Sequence, residues 1–224
     1  MELYDVMRTT FAAREFTGDP VPDDVLHRIL ENARFAPSGG NRQGGHVIVV
    51  RDPEKRTALA RLMVAPFQRY RAQQLAGESP WNPLAPPGPT AAEIDAIRPS
   101  PGLLERLVDA PVVLLICVDL GAIAAMDQHL ERIAVVPGAS IYPLVWNILL
   151  AARNEGYGGT LTTFITASEP EVKPLFNIPD HVAVAALLPI GRPVKQLTKL
   201  RRKTVEAFTT IDSFDGDRFR GPAT

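Results

Sequence analysis

Three unbroken apolar runs constrain what this chain can fold into: "HVIVV" at 46–50, "PVVLLICVD" at 111–119 and "HVAVAALLPIGRPV" at 181–194. Each is rich in Val, Ile or Leu and bounded by Pro, Gly or Asp, which predicts strands rather than helices. A strand with apolar residues at consecutive positions buries both of its faces, so a sheet built from these runs needs helices on both sides.

The segments between the runs supply those helices. Pro20-Val21-Pro22-Asp23-Asp24 is a helix start, with prolines ahead of the first turn and carboxylates within it. Val25, Leu26, Ile29, Leu30 and Ala33 follow at helical spacing and predict an amphipathic helix over 23–34. Asp52-Pro53-Glu54 opens a second helix, expected to reach about Leu75 through Leu59, Leu62 and Met63. Short helices are expected at 103–110 and 168–176. Residues 138–155 read as a nearly all-apolar helix with Ile141, Leu144, Val145, Ile148 and Leu149 inward, which suits the centre of a molecule or a subunit interface. "GYGGTLTTF" (156–164) ends that helix and runs into an extended segment, and 121–136 carries no clear pattern.

Helices and strands alternate without an internal repeat, so 1–224 is expected to form one layered domain. Two stretches stand apart from it. Residues 76–102 hold many of the chain's 21 prolines and are expected to be irregular, as a lid or a variable loop. The polar extension 195–224 is poorly suited to packing a core of its own.

The formal net charge of −1 argues against nucleic acid or an anionic membrane as the main partner, which leaves small molecules and other protein chains. The one cysteine, Cys117, lies within an apolar run and reads as a small buried hydrophobe. No apolar stretch has the length of a signal peptide core or a membrane span, and a cytoplasmic location is expected. The four histidines lack metal-ligand spacing, and the alternating Asp127, His129 and Glu131 make only a weak case for a metal.

"APSGGNRQGG" (36–45) carries more small and hydrogen-bonding residues than a connecting turn needs. It lacks the Gly-Lys-Ser/Thr ending of a phosphate loop and the spacing of a dinucleotide fingerprint, and it follows a helix rather than a strand. Composition alone leaves a plain turn and a ligand loop equally open.

The order of segments goes further. "VPDDVLHRILENARFAPSGGNRQ" followed by "HVIVV", with "RTTFAAREFTGDPVP" upstream and "WNILLAARNEGYGGTL" and "PIGRPVKQLTKLRRKTVEAF" downstream, resembles the nitroreductase family of flavoproteins. The resemblance covers most of the chain and is thinnest over 65–135. It implies an α+β nitroreductase-like fold, with a central mixed sheet flanked by helices and a C-terminal arm reaching over a dimer partner. It further implies a homodimer with FMN at the subunit interface. Pro37, Ser38, Gly39, Asn41 and Gln43 then match the loop against the flavin ring and ribityl chain, where small residues permit close approach and amides satisfy a polar edge. Arg14 matches the cation near the pyrimidine end, where negative charge gathers on reduction. Gly159, Leu161 and Thr162 match the loop that offers an amide to flavin N5, with the register among Leu161, Thr162 and Thr163 open. Arg201 and Lys203 match the basic pair that clamps the phosphate, in a register open by one.

Without the resemblance, each of these residues has an ordinary role: turn, cap, or solvated charge. Two departures from the family pattern also stand out. Thr10-Phe11-Ala12 replaces basic or hydroxyl residues, leaving Thr10 as the sole side-chain donor there, and Gln43-Gly44-Gly45-His46 replaces Gln-Pro-Trp. His46 at a strand start is more simply structural than an acid–base group.

The implied reaction is hydride transfer from NADH or NADPH through FMN N5 to a nitroaromatic, quinone or enone, with no protein residue needed as a catalytic group. Two alternatives remain open at this point. The same fold and FMN could serve dehalogenation or dehydrogenation of a specific metabolite, or the protein could bind and store FMN without turnover.

Overall fold

The computed structural model describes residues 1–99 and 102–221. The three apolar runs are strands: β1 (Gly45–Val49), β2 (Val112–Asp119) and β4 (Val182–Gly191), with a two-residue β3 (Gly158–Gly159) between the last two in sequence. They form one sheet in the order β1-β2-β4-β3.

The helices are α1 (Leu3–Thr9), α2 (Asp23–Ala33), α3 (Pro53–Leu62), α4 (Val64–Leu75), α5 (Ala91–Asp95), α6 (Leu103–Val108), α7 (Tyr142–Asn154) and α8 (Glu169–Phe176). Alternation along β2 explains why its apolar run has no polar break. Leu114 and Ile116 pack with Leu26, Ile29, Val145 and Ile148 of α2 and α7. Val113, Leu115 and Cys117 pack on the other face with Leu59 and Ala60 of α3 and Val172 of α8.

The expected mixed sheet is nearly all antiparallel. Among the described residues all three ladders are antiparallel, and parallel pairing comes down to a single bridge, Ala12 to Gly159. The excursion from β1 to β2 explains the first ladder. Its helices return the chain to the end of the sheet it left, so β2 must run back alongside β1. Arg56 on α3 ties that junction together. Its Nε donates to Val50 O at 2.8 Å, and its Nη1 donates to Ala110 O at 2.7 Å and Val108 O at 3.2 Å.

The long helix expected over 52–75 is two helices meeting at Met63. Pro66 is the cause. It has no N–H to give the carbonyl four residues back, and its ring crowds that carbonyl. That acceptor, Leu62 O, is instead bonded by Ser168 Oγ at 3.0 Å.

A β-bulge skips Ala185 between the pairs Ile116–Ala186 and Cys117–Val184. The Val184 N–H donates to the Glu169 carboxylate at 2.7 Å.

Residues 76–99 are irregular apart from α5, which starts in a Thr90–Glu93 capping box. Buried Gln73 holds the start of this segment through Trp81 N and Glu78, and the Arg69 guanidinium stacks 4.0 Å over the Trp81 ring. Residues 100–101 of the expected lid lie outside the described residues.

The C-terminal extension leaves the sheet beside the N-terminal segment. Thr17 N donates to Arg192 O, Val194 N to Glu15 O, and Gln196 Nε2 to Thr9 O. Beyond it, Val205, Phe208, Ile211, Phe214 and Phe219 are exposed, and Phe214 is fully so. No helix among the described residues is long and apolar enough to cross a membrane.

Candidate functional site

Most of the residues singled out from the sequence fall into two groups at opposite edges of the sheet. The first is the loop 37–43. Ser38 Oγ accepts from Gln43 N at 3.0 Å, Asn41 N donates to Ser38 O at 2.9 Å, and Gly39 N donates to Ser140 Oγ at 3.2 Å. Ser140 lies just before the first turn of α7. The loop turns sharply enough to put Gly40, Asn41 and Gln43 at positive φ (60°, 54° and 52°). Asn tolerates that region, whereas Gln43 is held there against its preference.

Glycines of this loop also serve close packing within the chain. A Cβ on Gly39 would lie 3.0 Å from Ala124 Cβ and 3.1 Å from Ser140 Oγ. On Gly44 it would lie 2.6 Å from Ala122 Cβ, and on Gly45 2.8 Å from Leu144 Cδ2. Gly44 and Gly45 therefore let the start of β1 sit against its own chain.

The second group gathers at the β3 edge of the sheet. Gly159 is pinned on both sides: it pairs with Ile190 of β4, and its carbonyl accepts from Ala13 N at 3.0 Å. Its missing side chain also serves packing, since a Cβ would lie 2.7 Å from Pro189 O and 2.9 Å from Ile190 Cγ1. After it the chain stays extended. Thr160 N donates to Pro189 O at 3.3 Å and Thr162 N to Leu187 O at 3.0 Å. Alternation then turns the Leu161 N–H away from β4, toward the opposite side of the strand. Of the three residues left open by the sequence, Thr162 is engaged with β4, and Leu161 and Thr163 have the outward parity.

Arg14 is exposed beside this strand, its Nη1 3.4 Å from Ala12 O. It lines a small hollow of about 100 Å³ with Met63, Arg106, Thr160, Thr162 and Phe164. Arg106, Met63 and Phe164 were missed in the sequence, where their distance along the chain gives no signal that they meet.

The basic tail and Thr10 are less committed to either group. Arg201 and Lys203 are exposed in a stretch without regular structure. Thr10 is buried, and its hydroxyl donates to Val6 O at 2.7 Å, so that donor is already engaged in closing α1.

His46 and Cys117 face each other across β1 and β2, in a hollow of about 440 Å³ beneath α8. Burial pushes the Cys117 thiol up to about 11, so it is no thiolate at neutral pH. Asp127, in the segment 121–136, is a structural hub. Its Oδ2 accepts from Val135 N, Arg132 Nη1 and Val136 N, and these bonds, led by Val135, hold its pKa at about 2. His129 and Glu131 are exposed, and among the described residues no group of three or more His, Cys, Asp or Glu could hold a metal ion.

The strand order, the antiparallel ladders and this pair of half-sites can be set beside known proteins. The sequence pattern of the nitroreductase family matches residues 7–192. The chain belongs to the nitroreductase family. Two relatives in this family carry different chemistries. Nitrobenzene nitroreductase of Ectopseudomonas oleovorans is 26% identical over 232 residues, a match that covers 92% of this chain and 95% of its own. Iodotyrosine deiodinase 1 of Rattus norvegicus is 25% identical over 207 residues, covering 92% of this chain and 67% of its own. Among solved nitroreductase-like structures, the NADPH:FMN oxidoreductase from Vibrio harveyi complexed with NAD+ superposes with a TM-score of 0.67 at 17% identity, covering 95% of this chain and 78% of its own.

Proposed function

We propose that the protein is an FMN-dependent oxidoreductase that works as a homodimer, with each flavin held by one half-site from either chain. The separation of the two half-sites carries this reading. The loop 37–43 leads into β1 at one edge of the sheet and the Gly159–Thr162 strand flanks β4 at the other, so three strand spacings of about 4.8 Å put them about 14 Å apart. An isoalloxazine ring system is shorter than that. Both groups can line one ring only when the second comes from another chain.

Exposed apolar side chains on the same side support association. Leu3, Tyr4 and Met7 of α1 and Tyr142 and Trp146 of α7 all stand in solvent, Tyr142 and Trp146 at 40% and 43% of full exposure. Several large apolar side chains exposed on two helices that pack together suit an interface. The extension 195–224, with its own exposed aromatic residues, is proposed as the arm that reaches over the partner.

The residues present fit FMN. Bound there, the flavin would accept a hydride from NADH or NADPH at N5 and pass it to a second molecule. The chain's part is binding and electrostatics. The outward Leu161 N–H would donate to the central ring, Arg14 would face the pyrimidine end, and Arg201 and Lys203 would meet the phosphate. Thr10 contributes its main chain and the closure of α1 rather than a free hydroxyl. The 76–102 segment, held by Gln73 and Trp81, is proposed to border the acceptor pocket.

Purified protein supplied with FMN is expected to turn yellow, to bleach anaerobically with NADH or NADPH, and to regain colour with a nitroaromatic or quinone. Protein that stays yellow with either nucleotide would instead be an FMN carrier. The rat deiodinase likeness favours reductive dehalogenation as the second reading. It is supported if the reduced protein is reoxidised by a halogenated phenol, with release of halide, and not by nitroaromatics.

A further inference from the structure

Arg14 does not stand alone at its end of the sheet. The last turn of α6 carries Arg106 to the same place, and both guanidinium groups line the hollow of about 100 Å³ floored by Thr160 and Thr162. Both also line an adjoining hollow of about 230 Å³ with Glu15, Glu105 and Asp109. Arg106 Nη2 lies 3.1 Å from Glu15 Oε1, and both of these side chains are about half exposed.

This arrangement is unusual for two surface arginines. Among the described residues, two arginines and no carboxylate line the smaller hollow, which gives it a positive character that suits an anionic group. The carboxylates Glu15, Glu105 and Asp109 lie toward the adjoining one, Glu15 in a direct ion pair with Arg106. The floor between the arginines is the strand that turns the Leu161 amide outward. A ring placed against that amide and Arg14 therefore lies within reach of Arg106 as well.

We propose that Arg106 is a second cation for the pyrimidine end of the flavin, partly neutralised by Glu15, and that with Arg14 it sets how strongly the protein prefers reduced over oxidised FMN. The inference rests on the FMN reading above. Arg106 acts here as a positioning and electrostatic residue. Reduction adds negative charge to the pyrimidine end, so a nearby cation stabilises the reduced form more than the oxidised one. Glu15 works in the opposite direction.

The test is the flavin midpoint potential of the holoprotein, measured by anaerobic titration against a reference dye. Arg106→Gln is expected to weaken the preference for reduced flavin about tenfold, which is about 30 mV more negative for a two-electron couple. Arg106→Lys keeps the charge and is expected to recover most of that shift, and Glu15→Gln to move the potential the other way. Far-UV spectra matching the parent confirm that α6 is intact. If Arg106→Gln binds FMN and leaves the potential unchanged while Arg14→Gln lowers it, the inference is overturned and the FMN reading survives. Protein that takes up no FMN at all overturns both.

Discussion

Gly159→Ala is expected to destabilise the protein by about 3 kcal/mol, the upper end of what overpacking a closed site costs. The added Cβ would lie 2.7 Å from Pro189 O, 2.9 Å from Ile190 Cγ1 and 3.1 Å from Leu149 Cδ2. The first of these is main chain within β4 and cannot rotate aside. Relief requires β3 to move off β4, which drags Thr160 and Thr162 from their bonds to Pro189 O and Leu187 O. The Leu161 amide would then lose its fixed direction, so flavin affinity should fall together with stability. Urea unfolding followed by circular dichroism gives the first quantity, and the midpoint should drop with little change in slope. An unshifted midpoint would show that the strand has room the structure does not give it.

Arg56→Ala is the second large effect, again of about 3 kcal/mol. One guanidinium serves carbonyls on both sides of the α3–α6 excursion, with two bonds under 3 Å. Burial, and then the nearby Arg51 charge, lowers its pKa from the usual value, and a guanidinium is not deprotonated in proteins. The group therefore stays charged, and its loss strands main-chain acceptors at the junction of β1 and β2. Arg56→Lys should recover part of the loss, because a single ammonium cannot span the same set of acceptors. Thermal unfolding of the three proteins orders them as parent, Lys and Ala. Equal stabilities for all three would contradict the clamp.

The layers were legible in the sequence because burial on both faces leaves an unbroken apolar run, as in β2. The direction of the strands was not. It depends on where the α3–α6 excursion returns, and that is decided by contacts such as Arg56 to Ala110, 54 residues apart. The break at Met63 was written in the sequence as Pro66, once its effect is placed four residues upstream. The short α1 escaped notice, with Val6 its one buried residue.

The candidate site was legible as a set of segments and illegible as a place. Family order picked out Arg14, the 37–43 loop and the 159–162 strand, but only the strand order puts them at opposite edges of one sheet. The ladder to β4 engages Thr162 and leaves the amides of Leu161 and Thr163 on the other side. Gly39 and Gly159, expected against a ring, also fill close-packed positions within the chain, as Gly44 does. Arg106 carried no signal in sequence because it reaches Arg14 only through the packing of α6.

The central claim is that one flavin needs two chains, and dilution tests it most directly. A ligand that binds only the assembled form is lost as that form dissociates. Holoprotein diluted through the dimer–monomer transition, followed by sedimentation for mass and by flavin fluorescence for release, should show both curves at the same protein concentration. A monomer that keeps its FMN would contradict the account.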